Sequence, residues 1–342
     1  MIQFTKYGSI EHISDSNVLE NIRLEELDKQ EFIVQEKVHG CNTCFITDGD
    51  AICFGKRSGF IDADEYFYDH EELIEHYRIR VIALFSVIKE KFPDIEMLTV
   101  FGEMFGGNYP HPDVENDRRI TNIQKGVYYS PIHEFYAFDI YITNEENGRY
   151  LSVEEANTFF EQGGFIYAKT LFSGTLEQCM QYPNDSVSVI PQWFGLPPIE
   201  DNICEGVVIR PLVPTYFSDG TRVLLKNKNN RFGEKLSGKK RNPQWLIEST
   251  YSESLNNLLL TVEDYVTENR LNNVISKIGQ IALPKEISKL IALFSEDILK
   301  DFLKEYSGNH AALEKNEKRI FDKHISNFAA KMIKDVYFRG EM

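Results

Sequence analysis

Several side chains in this 342-residue sequence have the types and order needed to act on phosphate. Lys37 stands in Glu36-Lys37-Val38-His39-Gly40, near the end of an apolar run. An amine attacks phosphorus only when neutral, and its ordinary pKa lies near ~10.4. A lysine nucleophile therefore needs neighbouring cations and partial burial. The glycine three residues on permits a backbone turn that leaves the amine facing a cleft. For any single lysine, a solvated strand position is the plainer account. Further on, Lys226 and Lys228 stand two apart in a run that reads as strand, so both leave on one face. Like charges side by side cost free energy unless an anion sits between them, and a nucleotide phosphate is the obvious anion. A solvated edge strand that uses lysines against aggregation is the competing account.

Carboxylates and aromatics complete the set. Glu205 begins the apolar run Gly206-Val207-Val208-Ile209, where a carboxylate either lies at the solvent edge or holds a divalent metal. Glu103 lies between Gly102 and the pair Gly106-Gly107, where backbone can approach a sugar closely. Phe138 precedes Asp139 on an aromatic strand; such a face can stack on a purine, although a core role is commoner for a phenylalanine. Cys41-Asn42-Thr43-Cys44 is formally a Cys-x-x-Cys. With five cysteines, no second pair and no His-x-x-x-His, it reads as reduced core cysteines rather than a zinc or redox site.

The elements that must position these residues follow from periodicity. A helix is expected around Val18 to Ile22 and a strand at Phe32 to Lys37, then a hairpin turning at Asp48-Gly49. Helical spacing covers 65–92 through Leu73, Tyr77, Val81, Leu84 and Ile88, ending before Pro93. Strands are expected at 98–101, 135–140, 206–209 and 222–226, with an Asn/Asp/Arg-rich loop over 108–125. Ser152 and Glu155 form a capping-box pattern for a helix over 152–162. From Pro243 onward only helical repeats remain, over 245–266, 270–281, 284–306 and 311–337. The fold class expected is α+β over 1–240, then a small all-α domain over 244–342, with a polar linker at 237–242.

Composition limits the partners. A hydrophobic fraction of 42% with 26% charged residues is that of a soluble globular protein. No apolar run approaches the roughly 20 residues of a membrane span, and the N-terminus lacks a signal-peptide pattern. An intracellular, cytoplasmic setting is expected. A net charge of −16 opposes nucleic-acid binding at first sight. Between Arg222 and Arg241, however, Arg222, Lys226, Lys228, Arg231, Lys235, Lys239, Lys240 and Arg241 are opposed only by Glu234, which leaves one segment as a phosphate surface.

In order, the set is Lys37-Val38-His39-Gly40, Lys56-Arg57-Ser58-Gly59, Phe101-Gly102-Glu103, Phe138-Asp139, Glu205-Gly206 and Lys226-Asn227-Lys228. This series resembles the motifs of the covalent nucleotidyltransferases, nucleic acid ligases and mRNA capping enzymes. It is most similar to the RNA ligase 2 family, RNA-repair ligases of phage and viral type that include RNA-editing ligases. His39 stands where DNA ligases usually carry Asp. The segment 269–279 and Asp297-Ile298-Leu299 resemble that family's helical C-terminal domain, where DNA ligases and capping enzymes would show a strand-rich OB-fold. Cys41 stands where the family often has Thr, and Asp301 where a Glu is expected.

The resemblance implies an adenylyltransferase domain of antiparallel sheets and helices followed by an RNA-engaging helical domain. It implies an ATP-dependent ligase that joins RNA 3′-OH and 5′-phosphate ends, most typically nicks in duplex RNA, through lysyl-AMP on Lys37 and AMP-capped RNA. Mg²⁺ is the expected ion, with Mn²⁺ able to substitute. By resemblance Glu36 and Phe138 take adenine, Asn42 lines the nucleotide site and Glu103 takes the ribose. Arg57, Lys226 and Lys228 take phosphates, with Lys56 in support. Glu205 takes the metal-dependent chemistry, Asp139 and His39 support their motifs, and Arg270, Asp297 and Asp301 serve RNA contacts. A monomer of phage or viral type is the family expectation. The alternatives are an ATP-dependent DNA ligase, a GTP-using capping enzyme, and a non-catalytic RNA-binding protein on a ligase fold.

Overall fold

The computed structural model describes residues 2–62, 65–145, 147–233, 251–279 and 285–337. They fall into two compact units, Met1–Arg231 and Phe232–Met342. The expected linker at 237–242, and the start of the helix expected from 245, lie outside the described residues.

Along the first unit run β1 (Glu11–His12), α1 (Ser16–Leu24), β2 (Phe32–Lys37), β3 (Cys41–Thr47), β4 (Ile52–Lys56) and β5 (Gly59–Phe60). Next come α2 (His70–Lys91), β6 (Met97–Gly106), β7 (His133–Thr143), β8 (Gly148–Tyr150) and α3 (Val153–Gln162). The unit closes with β9 (Ile166–Tyr167), β10 (Thr170–Gly174), α4 (Leu176–Met180), α5 (Ile190–Trp193), β11 (Gly206–Pro211) and β12 (Leu225–Lys228). One sheet has the order β1-β12-β11-β2-β10; the other runs β5-β4-β3-β6-β7-β8, with β9 joined to β7. Pairing is antiparallel except for β1 with β12 and β9 with β7. The strand expected at 222–226 is found instead at Leu225–Lys228, because Arg222 to Leu224 approach the sheet before joining its ladder.

Local chemistry sets these elements. The Asp15 carboxylate caps α1 by accepting from Asn17 and Val18 N–H, and Ser152 and Glu155 complete their capping box on α3. The buried face of α2 is Leu73, Tyr77, Val81, Leu84, Phe85 and Ile88, which packs in one core with Phe45, Val100 and Phe135 of the second sheet. Phe32, Val34, Val207, Ile209 and Leu225 pack on Ile22 and Leu176, filling the outer face of the first sheet. The five cysteines are free. Cys41 and Cys44 are three apart on β3 and join different cores, so the Cys-x-x-Cys spacing makes no site here.

The facing sides of the two sheets carry the polar residues. Across β2, β11 and β12 the register sets Lys37 beside Gly206 beside Lys228, and Gln35 beside Val208 beside Lys226. Opposite, Asn42 pairs with Glu103 and Glu103 with Tyr136. A bulge interrupts β7: Phe101 pairs with Asp139 but Gly102 with Ala137, which leaves Phe138 as the extra residue. Ala137 and Ile140 go to the α2 core, while Phe138 and Tyr141 go to the layer between the sheets. Two consecutive residues, Phe138 and Asp139, thereby face the same way, which a regular strand forbids.

Asp139 ties the sheets together. Its side chain is 1% exposed, and it accepts from Arg210 Nη2 at 2.7 Å, Arg222 Nη1 at 2.9 Å and the Tyr7 hydroxyl at 2.6 Å. Arg210 belongs to the opposite sheet, and Arg222 also lies 3.7 Å over the Tyr150 ring. Burial pushes the Asp139 carboxyl up, but the two guanidinium groups outweigh it and hold the carboxyl below its ordinary range.

The second unit contains α6 (Glu253–Glu263), α7 (Glu268–Ile278), α8 (Ile287–Ala311) and α9 (Lys315–Tyr337) around Leu259, Phe294, Phe302 and Phe321. Helix α8 continues to Ala311, past the end expected at 306, with a kink at Tyr306 (φ −121°). Among the described residues this unit has no strand, and no described helix is long and apolar enough to cross a membrane.

Asp139→Asn strands two buried cations and is expected to cost about 3–5 kcal/mol in urea unfolding at neutral pH. Because the folded-state pKa is depressed, the stabilisation is present above the unfolded value near ~3.9 and is lost as pH falls through the folded one. The gap between wild type and variant should therefore close in acid.

Candidate active site

Lys37 ends β2 and projects into the cleft between the sheets. Its Nζ lies 2.6 Å from Glu205 Oε2, and Lys228 Nζ lies 3.1 Å from the other oxygen, Oε1. The His39 ring adds Nδ1 at 3.4 Å from Oε2. Glu205 directly precedes Gly206, the residue registered between Lys37 and Lys228. A Cβ on Gly206 would stand 2.2 Å from the Asn227 carbonyl oxygen, and its φ of +147° also favours glycine. The bare backbone there lets one carboxylate reach both lysines. Burial alone would raise the Glu205 pKa; Lys37, Lys228 and His39 reverse this and hold the carboxyl well below its ordinary range.

Beside this ion pair a small pocket is bordered by Phe138, Tyr136, Val208, Asn42, Glu36 and Glu103. Phe138 is half-buried and meets the Tyr7 ring edge-on at 5.0 Å. Glu36 alternates away from Lys37 along β2, and its Oε1 is buried without a partner. Burial pushes its carboxyl up to about 7, against Ser188 and the Val189 N–H. Glu103 is also pushed to about 7, first by burial and then by Glu205, against Lys37, Arg57 and the Gly40 N–H. Two carboxyls poised near neutrality and a half-exposed ring suit a flat, weakly polar base with a sugar beside it. The row of cations suits its phosphates.

The residues singled out in the sequence divide into groups. Lys37, His39, Asn42, Glu103, Phe138, Glu205 and Lys228 converge on the cleft, and Glu36 borders it. Lys226 shares the Lys228 face in register with Val208 and His12. Arg57 lies in the turn after β4, near enough to Glu103 to lower its pKa. Lys56 is occupied elsewhere: its ammonium pairs with Glu65. Arg222, counted among the phosphate-facing cations, is buried on Asp139, and Arg231 pairs with Asp201 at the surface. Lys235, Lys239, Lys240 and Arg241 lie outside the described residues.

In the second unit Arg270 is buried, with its side chain 2% exposed, and donates to Asp297 at 2.9 Å and Asp301 at 2.8 Å. As placed, its guanidinium braces α7 against α8 instead of facing solvent where a phosphate could meet it. The shorter carboxylate at Asp301 still reaches it.

Glu205, the one carboxylate expected to hold a metal, here holds Lys37 with one oxygen and Lys228 with the other. Among the described residues no group of three or more His, Cys, Asp or Glu is placed to hold a metal ion. The donor set fits Mg²⁺ only as a single protein carboxylate completed by phosphate oxygens, the usual arrangement for that ion with nucleotides.

Residues missed from sequence are Tyr7 and Arg210. A charged residue inside Val207-Val208-Ile209-Arg210-Pro211 signals a buried partner, but nothing in the chain's order points to Asp139 as that partner.

Three comparisons bear on this arrangement. The profile of the family described as RNA ligase matches residues 30–228, and that described as T4 RNA ligase 2 C-terminal matches residues 249–331. RNA-editing ligase 1, mitochondrial, of Trypanosoma brucei brucei is 29% identical over 88% of this chain and 76% of its own. RNA-editing ligase 2, mitochondrial, from the same organism is 28% identical over 88% and 83%. A Naegleria gruberi RNA ligase variant solved with ATP and Mn shares 18% identity at a TM-score of 0.42, covering 67% of this chain and 57% of that one.

Gly40 is fixed by packing: a Cβ there would stand 2.2 Å from the Met104 carbonyl oxygen and 2.9 Å from Glu103 Cγ. Gly40→Ala should cost about 1–3 kcal/mol in chemical denaturation. Gly8→Ala, with nothing within 4 Å of the new methyl group, should unfold like wild type.

Proposed function

The chain belongs to the RNA ligase family, and from that premise we propose that it seals RNA ends by passing AMP through Lys37. The reading rests above all on one observation: the Lys37 ammonium, paired with Glu205 and flanked by Lys228, opens beside a small pocket edged by Phe138. RNA is the substrate that the family implies, with ATP as the nucleotide. Family membership sets aside the DNA-ligase and capping alternatives, and the intact nucleophile, carboxylate and motif lysines argue against a retired, non-catalytic fold.

In the first step Lys37 gives its ammonium proton to solvent, and the neutral amine forms a bond to the α-phosphorus of ATP as pyrophosphate leaves. Glu205, held far below the ordinary carboxylate range, is a poor base; its work is to aim the amine. Phe138 stacks on the adenine, and Glu36 is assigned to the base edge because it borders the same pocket. Glu103 and Asn42 take the sugar side, and Lys226, Lys228 and Arg57 offset charge on the phosphates. In the second step an RNA 5′-phosphate oxygen displaces Lys37, giving a 5′-5′ pyrophosphate. In the third an RNA 3′-hydroxyl displaces AMP. Glu205 would be the protein's ligand to Mg²⁺, which supplies neutralisation of phosphate charge in each displacement.

We assign adenylyl transfer to the 1–240 region and RNA engagement to the helical 244–342 region, acting as a monomer on nicked duplex RNA inside a cell, where its five free cysteines stay reduced. The test is covalent transfer of label from α-labelled ATP to protein, with the chain first stripped of any bound AMP by pyrophosphate. Wild type should carry an acid-labile label and Lys37→Ala none. Label on the variant, or none on wild type, overturns the mechanism.

A further inference from the structure

The turn that presents Lys37 belongs to neither sheet. Lys37 is the last residue of β2 in one sheet and Cys41 the first of β3 in the other, so the crossing at Val38, His39 and Gly40 has no ladder to satisfy its backbone. These residues are buried, and their polar groups need partners. Side chains from elsewhere supply them. The His39 N–H donates to the Tyr129 hydroxyl at 3.0 Å, the Gly40 N–H to Glu103 Oε1 at 3.2 Å, and the Gly40 carbonyl accepts from Gln124 Nε2 at 3.3 Å.

Two of those three partners, Tyr129 and Gln124, come from the irregular segment before β7. That segment is itself tied to the approach to Glu205. Asn202, three residues before Glu205, accepts from the Tyr128 N–H at 2.8 Å and donates to the Tyr128 carbonyl at 2.7 Å. Ser188 N–H in turn donates to the Asn202 carbonyl at 2.9 Å. Asn202 is 4% exposed, and Tyr129 at 2% packs its ring on Phe105 at 5.1 Å. One segment thus fixes both members of the ion pair: the Lys37 turn through Tyr129 and Gln124, and the Glu205 approach through Asn202.

We propose that Tyr129 is a positioning residue for Lys37, acting through the His39 N–H with Gln124 and Asn202 as its supports. It touches no reacting atom, being buried behind the turn. Its hydroxyl sets where the turn lies, and the turn sets the aim of the Lys37 amine at the α-phosphorus. This rests on the lysyl-AMP reading. It predicts that losing the hydroxyl harms the step in which Lys37 forms its bond and spares the step in which Lys37 forms none.

The test compares two reactions of full-length wild type and Tyr129→Phe. One is single-turnover lysyl-AMP formation at varied ATP. The other is sealing of a synthetic 5′-adenylylated RNA annealed at a nick, which needs no bond to Lys37. Tyr129→Phe should lower the maximal rate of lysyl-AMP formation about tenfold or more with little change in half-saturating ATP, and seal the pre-adenylylated nick at the wild-type rate. Gln124→Met, which removes the amide at similar volume, should show the same split in smaller degree. Equal losses in both reactions, or wild-type lysyl-AMP formation in both variants, overturns the positioning role and leaves the ligase mechanism standing. Wild-type protein that forms no lysyl-AMP removes the mechanism itself, and the positioning role with it.

Discussion

A buried carboxylate with two guanidinium partners holds the two sheets at the separation the cleft requires. Asp139 sits on β7 of one sheet, and Arg210 on β11 of the other reaches it at 2.7 Å. Such a cluster is expensive to assemble, since each ion leaves water, and it is stable only because the oxygens accept three donors. Its position follows from the bulge at Phe138. The extra residue turns Asp139 inward beside Phe138, so the clamp and the half-exposed ring come from consecutive positions. Structure and chemistry are coupled there by one irregularity in one strand.

The cleft so formed is electrically lopsided. Glu205 meets Lys37, Lys228 and His39, while Lys226 shares their face and Arg57 stands near Glu103. With Glu205 the carboxylate in contact with those cations, the cluster leaves an attraction for polyanions, although the chain as a whole carries −16. The same field explains a contrast among three carboxyls at the cleft. Glu205 touches the cations and is held ionised; Glu36 and Glu103 lie a shell further out, where burial wins and brings each to about 7.

Much of this was legible in the sequence, and the parts that were not have a common cause. Lys37, Glu205 and Lys228 sit at strand ends or on one strand face, so local spacing places them, and the register only had to bring their strands together. The capping box on α3 and the apolar stripe on α2 are equally local. The bulge at Phe138 was not legible, because period two puts Phe138 and Asp139 on opposite faces and nothing in the residue types marks an inserted one. Arg222 reads as a member of a basic run, yet it is buried on a carboxylate 83 positions away. Lys56 and Arg270 likewise read as available cations and are taken by Glu65 and by Asp297 with Asp301. Charge counts see the donors in a stretch of chain; long-range partners decide which of them face a ligand.

The placement of Lys37 follows from the same physics as the fold. A lysine inside a ladder would be held well but would present its amine to a neighbouring strand, and a lysine on a free loop would be presented but not aimed. Lys37 is the last residue of a ladder, so its backbone is held by Gly206 on one side while the chain beyond leaves the sheet. Leaving the sheet strips the next residues of ladder partners, and burial forbids leaving them unpaired. The side chains recruited to that duty, Tyr129, Glu103 and Gln124, convert a gap between two sheets into a rigid mount. Glycine is required at Gly40 for a related reason: the chain entering β3 passes so close to β6, its neighbour in the same sheet, that the Met104 carbonyl occupies the space a side chain would need.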